Sequence, residues 1–284
     1  FVHEMIRQRK RNLHAYGHSP GGDWDMLIGA GCVRRVELAY EADEAFARIG
    51  PRFRYAVEKG LIEWEDYSNF GMVQRFAAGA MGIPFIPTRT MLGSNMLKDE
   101  GFSPELRKSD WKIASKKFAL MECPFTGDRI VLLPAIQPDV TIIHAQIVDV
   151  QGTVRIYGQN FGDEQQAKAA KKLIVTCEEI VQPKKLREFP EHNCIPFFRV
   201  NAIVKVPYGA HPYACYRYYD YDPEFLRLYH RKATDDASFK EFLDEYVYGS
   251  NDWKEYLERI GGDKKLRMLK AHKKLGYAAK LKRR

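Results

Sequence analysis

Small polar residues follow a strand-like segment in the first third of the chain. Ser68 and Asn69 come directly after the alternating pattern of Leu61–Tyr67. Because the carboxyl ends of parallel strands face the ligand crevice of an α/β sheet, we expect both side chains to contact a substrate. Ser68 also stands where it would cap the helix predicted from Phe70, and one serine can serve both purposes.

Carboxylates occupy the same position after the preceding strand-like segment, Val33–Tyr40, where the chain reads Glu41-Ala-Asp43-Glu44. Such acids can act in acid/base chemistry if one of them is removed from water. Alternatively, they favour the N-terminus of the helix that follows, through its dipole. We keep Glu44 as a candidate catalytic and substrate-binding residue.

A third group of candidates follows another strand-like segment, in the stretch from Thr88 to Ser94. Gly93 permits close approach of the backbone to a ligand, and Ser94 adds a hydroxyl. Arg89 can bind a carboxylate or phosphate through two parallel hydrogen bonds. His211, in a Gly-Ala-His-Pro turn, is expected to hydrogen-bond the turn more often than to act as a base.

Several kinds of site are absent from the sequence. Gly29-Ala-Gly31 lacks the third glycine of a dinucleotide fingerprint, and there is neither a Walker A sequence nor a G-x-S-x-G elbow. The five cysteines are scattered, without the pairs that a disulfide framework or a zinc site needs. We therefore expect reduced thiols in a cytoplasmic protein, no metal and no permanently bound cofactor.

The order of elements predicts an α/β fold: an open, mostly parallel sheet with helices on both faces, a β-rich middle segment and a C-terminal helical extension. In the first third the expected strands are 12–17, 33–40 and 61–67, and the expected helices are 23–30, 46–59 and 70–81. The β-rich segment starts at Arg129, and the helical extension starts at Pro223. We predict an α/β domain over 1–222, its helical extension over 223–272 and a basic tail over 273–284.

The net charge of +8 is a local property of the C-terminus. Residues 264–284 hold ten Lys and Arg, and removing those from the 45 of the chain leaves 35 against 37 Asp and Glu. This distribution is weak evidence for a nucleic-acid partner, and we expect none. It predicts a solvated helix end and frayed tail, or a contact with a partner subunit or an anionic ligand. With no apolar run of about 18 residues, no membrane association is expected.

Residues 207–222 read PYGAHPYACYRYYDYD and hold six of the 16 tyrosines. A buried tyrosine hydroxyl needs a partner, so this density favours a surface that meets another molecule over a plain core. We interpret this tyrosine-rich segment as packing at a subunit interface, or as cover over a pocket rim.

Seven ordered blocks resemble one family over more than 200 residues: GGDWDMLIGAG (21–31), EDYS (65–68), IPFIPTR…LGS (83–94), DVTIIHAQ (139–146), GTVRIYG (152–158), IVTCEEIV (174–181) and the tyrosine-rich segment. They are similar to the A subunit of the two-subunit, class I CoA-transferases, closest to the glutaconate CoA-transferases. That family begins with a further strand, so the resemblance implies that an N-terminal strand is missing from 1–222.

The resemblance implies an obligate B subunit, in an α2β2 or α4β4 assembly, with acyl-CoA and a small, dicarboxylic acid as substrates. CoA moves in a ping-pong reaction through a glutamyl-CoA thioester on the B subunit, so no nucleophile is expected in this chain. Ser68, Gly93 and Ser94 match positions that line the acyl pocket. Glu44 replaces a serine, and its negative charge would repel a dicarboxylate.

A related branch of ring-opening C–C hydrolases carries a catalytic glutamate in its A chain, at the position of Asn69 here. An asparagine amide cannot act as a base. This argues against the ring-opening branch unless Glu44 has taken over the role. A CoA-thioester or ring-opening hydrolase is the alternative function, with Glu44 or Glu65 as its base. A non-catalytic binding or scaffolding subunit is a third hypothesis.

Overall fold

The computed structural model describes residues 1–283, which form two compact units, Phe1–Pro138 and a second that begins at Asp139. The helices are α1 (Val2–Arg7), α2 (Gly22–Gly29), α3 (Pro51–Glu58), α4 (Asn69–Met81), α5 (Pro104–Ser109), α6 (Asp163–Ala169), α7 (Pro183–Arg187), α8 (Pro223–Lys232), α9 (Asp236–Phe242), α10 (Trp253–Arg259) and α11 (Gly262–Leu269). The strands are β1 (Leu13–Gly17), β2 (Val33–Leu38), β3 (Glu63–Asp66), β4 (Phe85–Thr88), β5 (Ala119–Glu122), β6 (Arg129–Pro134), β7 (Val140–Asp149), β8 (Val154–Arg155), β9 (Lys172–Val181) and β10 (Ala202–Lys205).

The first unit contains a parallel sheet in the order β1-β2-β3, with α2 and α3 in the connections. Since the three strands are parallel, their carboxyl ends lie at one edge. Helix α4 leaves β3 at this edge, beginning at the N-cap Ser68 and ending at Gly82, whose φ of +72° suits a glycine C-cap. The sheet and helix together place several loops side by side at one edge.

A second sheet of the first unit is antiparallel, in the order β4-β6-β5. Val131 and Leu133 of β6 are fully buried, and β4 and β6 contact α4. Strand β5 is exposed along its whole length. One face of this sheet thus belongs to the core of the unit, and β5 forms an edge.

The second unit is built on a sheet in the order β10-β9-β7-β8, in which only the short β8 runs antiparallel to its neighbour. The core includes Ala145, Leu173, Val175 and Cys177, each fully buried. Consecutive buried residues in β7 and β9 fit the near-continuous apolar runs of covered parallel strands.

The C-terminal basic residues belong to an ordered segment. The Ala271 amide donates to the Tyr218 carbonyl at 3.0 Å, and the Ala278 amide donates to the Asp220 carboxylate at 3.1 Å. Arg283 pairs with the same carboxylate. Within the described residues the expectation of a frayed tail is wrong, because backbone and charge contacts hold residues 270–283 against the tyrosine-rich segment; Arg284, the last residue of the predicted tail, lies outside the described residues. We call residues 270–283 the C-terminal strap.

The predicted α/β class is confirmed, with two differences in detail. The strands are divided over three sheets instead of one, because β4, β5 and β6 pair with each other in antiparallel fashion. The helix expected from Phe46 begins at Pro51, after a turn in which the Asp43 amide donates to the Ala47 carbonyl. Proline at the first helical position fits this start. The domain boundary expected at residue 222 stays a prediction. Across residues 1–283, no helix combines the length and the apolar character that a bilayer crossing requires.

Candidate functional site

Polar side chains from three loops meet in pairs at the carboxyl edge of the β1-β2-β3 sheet, and a fourth loop joins them through its backbone. The Ser19 hydroxyl, in the loop after β1, donates to the Asn69 side-chain oxygen at 3.1 Å. The Ser68 and Thr90 hydroxyl oxygens lie 2.6 Å apart, so the loop after β4 joins the end of β3. The loop after β2 reaches the same edge, where the Ala42 amide donates to the Pro20 carbonyl. We call Ser19, Ser68, Asn69 and Thr90 the edge cluster.

Ser68 owes its position to the start of α4. Its hydroxyl oxygen accepts a hydrogen bond from the Gly71 amide at 3.0 Å, as expected for an N-cap. A β-carbon on Gly71 would lie 2.8 Å from that oxygen and 3.2 Å from Leu133. Glycine at residue 71 therefore leaves room for Ser68 to bond Thr90 and cap the helix together.

Gly93 and Ser94 lie in the turn that continues from Thr90. Gly93 is exposed and has φ of +77°, a left-handed conformation that favours glycine. The Ser94 hydroxyl donates to the Met91 carbonyl at 2.7 Å, which closes the turn. The exposed glycine offers backbone to a ligand, and the adjoining Thr90 links this turn to Ser68.

The Arg89 side chain pairs with a residue outside the edge cluster. Its guanidinium pairs with the carboxylate of Asp128, in the turn between β5 and β6, and its side chain is 70% exposed. Because Asp128 already neutralises the charge of Arg89, this arginine could bind a ligand carboxylate only after a rearrangement.

Among the acids after β2, the buried one is Glu41, whereas Glu44 is exposed in a turn. The Glu41 carboxyl accepts from the amide of Gly50, the N-cap of α3, at 2.8 Å, and Asp25 accepts from the Phe53 amide at 2.7 Å. Burial, followed by the negative charge of Asp25, raises the pKa of Glu41 to about 9. This supports the expectation that acids here serve a helix N-terminus.

A buried ionic network lies within the first unit. An Arg75 guanidinium nitrogen is 2.6 Å from a Glu37 oxygen, and both side chains are at most 5% exposed. His14 Nε2 lies 3.0 Å from the other Glu37 oxygen. Burial alone would raise the pKa of Glu37, but the charge of Arg75 and the bond to His14 outweigh it and lower the pKa to about 2. Arg75 also stacks over the Tyr67 ring, 3.8 Å from its centre.

The carboxylate of Glu65 is buried and has several partners. It pairs with Arg107, accepts from the Tyr67 hydroxyl and accepts from the Phe102 amide at 3.0 Å. Burial and the charge of Glu37 raise the pKa of Glu65. These contacts hold the Glu65 carboxylate in the interior of the first unit.

The second unit has its own buried polar centre at Glu178. The carboxylate accepts from the Tyr219 hydroxyl at 2.7 Å and from the Tyr208 and Gly209 amides at 2.8 and 3.2 Å. His144 Nε2 lies 2.8 Å from it. Three residues of the tyrosine-rich segment, Tyr208, Gly209 and Tyr219, are therefore structural: they donate hydrogen bonds to a buried carboxylate.

His144, Glu178 and Cys215 bring potential metal ligands within 4.8 Å of one another. A metal would need the thiolate of Cys215, yet burial and the charge of Glu178 raise the pKa of that thiol. Hydrogen bonds also occupy the carboxylate. The network is satisfied without an ion, and the expectation of no metal stays a prediction.

His211 is buried beside Tyr256 and Asp222. Its Nδ1 lies 2.7 Å from the Tyr256 hydroxyl oxygen, and its Nε2 lies 3.3 Å from the Asp222 carboxylate. Burial lowers the pKa of His211 against the opposing effect of Asp222. The geometry matches the expected role of a turn-stabilising hydrogen bonder.

Comparison with known proteins places this geometry in a family. Residues 1–206 match the model of the coenzyme A transferase family. The chain belongs to this family. It is 41% identical over 277 residues to the A chain of glutaconate CoA-transferase from Acidaminococcus fermentans, covering 97% of this chain and 86% of the relative. It is 34% identical over 266 residues to the A chain of 3-oxoadipate CoA-transferase from Pseudomonas knackmussii, covering 92% and 88%.

The solved structure of glutaconate coenzyme A-transferase from Acidaminococcus fermentans has the same fold. It superimposes with a TM-score of 0.93 over 98% of this chain and 87% of that chain, at 41% identity. The expected resemblance to A-type CoA-transferase subunits is confirmed, and coenzyme A transfer is the activity that family membership assigns.

Two members of the edge cluster, Ser19 and Thr90, were not predicted as site residues from the sequence. Ser19 stands in the loop after β1, and Thr90 in the loop after β4. The signal was present, since both follow a strand at the predicted edge. Their pairing with Asn69 and Ser68 depended on which loops meet, which spacing along the chain does not reveal.

Proposed function

We propose that this chain is the A subunit of a heteromeric CoA-transferase and carries the acyl-binding half of the site. The edge cluster supports this best, because hydroxyl and amide groups converge there, and none of its four residues carries the carboxylate that the reaction needs. The nearby carboxylates of Glu37 and Glu65 are occupied by cations or amides. Such a site can bind an acid but needs the reacting carboxylate from another chain.

The proposed reaction is ping-pong, and its nucleophile is a glutamate of the B subunit. The glutamate carboxylate attacks the acyl-CoA carbonyl, the C–S bond breaks, and CoA thiolate leaves behind a mixed anhydride. The thiolate then attacks the glutamyl carbonyl and releases the first acid, which leaves a glutamyl-CoA thioester. The acceptor acid repeats these two steps in reverse, so acyl-CoA leaves and the glutamate is regenerated.

Ser68 and Asn69, with Gly93 and Ser94 in the adjoining turn, are proposed to bind the acyl carboxylate or the thioester carbonyl. Neutral hydrogen-bond donors suit this task because the same side chains must bind the charged carboxylate of the acid and then the uncharged carbonyl of the thioester. A dicarboxylic substrate is proposed, since glutaconate and 3-oxoadipate, in the names of the two relatives, are both dicarboxylates. Arg89 would contribute only by leaving Asp128.

The test is co-expression with a B-type chain and CoA exchange over a panel of mono- and dicarboxylic acids. We expect exchange by the heteromer and none by either chain alone. With acyl-CoA and no acceptor, borohydride should trap the thioester on the B chain. Trapping on this chain would contradict the proposed roles.

The hydrolase alternative has weaker support. Asn69 is an amide, Glu44 is exposed in a turn, and Glu65 is buried with Arg107. Replacing Glu44 by Gln separates the two functions. A transferase should keep turnover and gain preference for dicarboxylates, whereas a hydrolase that uses Glu44 should lose water-dependent product formation altogether. An α2β2 or α4β4 assembly and a cytoplasmic location remain part of the proposal.

A further inference from the structure

The antiparallel sheet of the first unit has an uncovered apolar face. The register pairs Leu132 of β6 with both Pro87 and Ala119, and Ile130 with Met121, so these side chains point to one side. We call this surface the β4-β6-β5 face, and it consists of Phe85, Pro87, Ala119, Met121, Ile130 and Leu132. Each is apolar, which leaves no charge among these six.

The two sides of the sheet differ in burial. Val131 and Leu133, which alternate with the face residues along β6, are 0% exposed on the side that contacts α4. Phe85 and Met121, on the opposite side, are 46% and 40% exposed. When both sides of a sheet are apolar, one side packs against the core of its own unit. The other side stays exposed and can bind another chain.

The uncovered surface is large enough to contribute to a stable interface. Phe125, in the turn between β5 and β6, is 92% exposed. Together with Phe85 it leaves on the order of 250 Å² of aromatic surface in water. A standard interface buries roughly 800 Å² per partner, so two side chains supply close to a third of it.

The face is continuous with the edge cluster. Strand β4 contributes Phe85 and Pro87 to the face and runs directly into Thr90, which bonds Ser68. A chain seated on the face therefore lies next to the site that lacks its reacting carboxylate. A second copy of this chain would cover the face without supplying that group.

We propose that the β4-β6-β5 face is the docking surface for the B subunit, which presents an uncharged apolar surface to it. This proposal rests on the proposed function, since that function requires a B chain beside the edge cluster. The free β5 edge adds unpaired backbone groups with which a strand of the partner can pair.

The test places a charge either on the face, at Met121, or in the adjoining turn between β5 and β6, at Phe125, and measures binding to the B-type chain. Met121→Lys and Phe125→Lys keep the buried side of the sheet intact. Met268→Lys in α11, where the native side chain is 53% exposed, is the matched control. We expect Met121→Lys to weaken the heteromer at least about 100-fold and Phe125→Lys at least about 10-fold, because a lysine would be desolvated without a partner. The control should bind like the unmodified chain.

Near-ultraviolet circular dichroism of each variant establishes that folding is retained, and light scattering gives the assembly. Unchanged binding by both Met121→Lys and Phe125→Lys would overturn the proposal. So would a homodimer of this chain that Met121→Lys dissociates while B binding persists, since the occupant would then be a second copy. A heteromer that is sensitive to Met121→Lys but exchanges no CoA would leave the docking surface standing and refute the proposed function.

Discussion

Ser68 has two partners for one oxygen, so its removal should change both stability and activity. Ser68→Ala loses the cap on α4, which costs about 1 kcal/mol. It also removes the hydroxyl beside Thr90, and we expect kcat/KM of the heteromer to fall at least about 10-fold, as for one lost transition-state hydrogen bond. Urea unfolding and CoA exchange assays measure the two effects.

Ser103→Ala is the matched control for that experiment. Ser103 caps α5 by accepting from the Leu106 amide at 3.2 Å, and it is exposed. Its loss should cost similar stability without changing kcat/KM. Equal losses of activity in the two variants would show that Ser68 acts only as a helix cap.

Because the Glu41 carboxyl is buried, we expect its replacement by an uncharged residue to increase folding stability in a pH-dependent way. Its pKa rises from 4.5 in the unfolded chain to about 9 in the folded one, so folding stability is lost as the pH rises through this range. Glu41→Gln keeps an acceptor for the Gly50 amide and carries no proton to lose. We expect it to stabilise the protein at pH 8 and to have little effect at pH 4, measured by urea unfolding.

Glu41 also shows how far sequence reasoning reaches at single residues. The expectation of carboxylates at a helix N-terminus was correct in kind, yet Glu44 was selected and Glu41 is the buried acid. Neighbouring acids in one loop are chemically alike. Which of these acids is buried depends on the turn that Asp43 and Ala47 close. The residue types alone do not predict that turn.

The ion pair of Glu37 and Arg75 joins the β1-β2-β3 sheet to α4. Removing one partner of a buried ion pair typically costs about 3–5 kcal/mol. We expect Arg75→Met to lose that much stability at neutral pH in urea unfolding. Arg54→Met removes an exposed partner of Glu58, so this control should leave the free energy of unfolding nearly unchanged.

The fall in folding stability at acid pH depends on the same pair, Glu37 and Arg75. The folded-state pKa of Glu37 is about 2 against 4.5 unfolded, so its contribution is complete above pH 4.5 and is lost as the pH falls toward 2. Arg75→Met should make this decline shallower. A decline as steep as that of the unmodified chain would mean that other carboxylates dominate it.

Individual helices and strands were easier to predict from the sequence than the pairing of the strands. The alternation in Val33–Leu38 and the capping serine before α4 located a strand and a helix from local pattern alone. The pairing of β4 with β6 joins segments more than 40 residues apart, and β6 then takes β5 on its other side. No local pattern distinguishes such a sheet from a continuation of the parallel one.

For the molecule as a whole, the C-terminal strap should resist trypsin despite its many Lys residues. Asp220 holds it through the Ala278 amide and Arg283. Asp220→Ala should release it, so that cleavage between Lys273 and Lys280 becomes fast; mass spectrometry of timed digests measures this. Asp244→Ala, which breaks an exposed pair with Lys240, is the control and should leave the digestion rate unchanged.

The exposed β5 edge has a consequence for how the chain is made in a cell. An apolar face beside unpaired backbone groups is a template for aggregation, and Ala119-Leu120-Met121 carries no charge to prevent it. We expect a larger share of the chain to aggregate when it is expressed alone than when its partner is translated alongside. The ratio of the two chains would then determine yield before it determines activity.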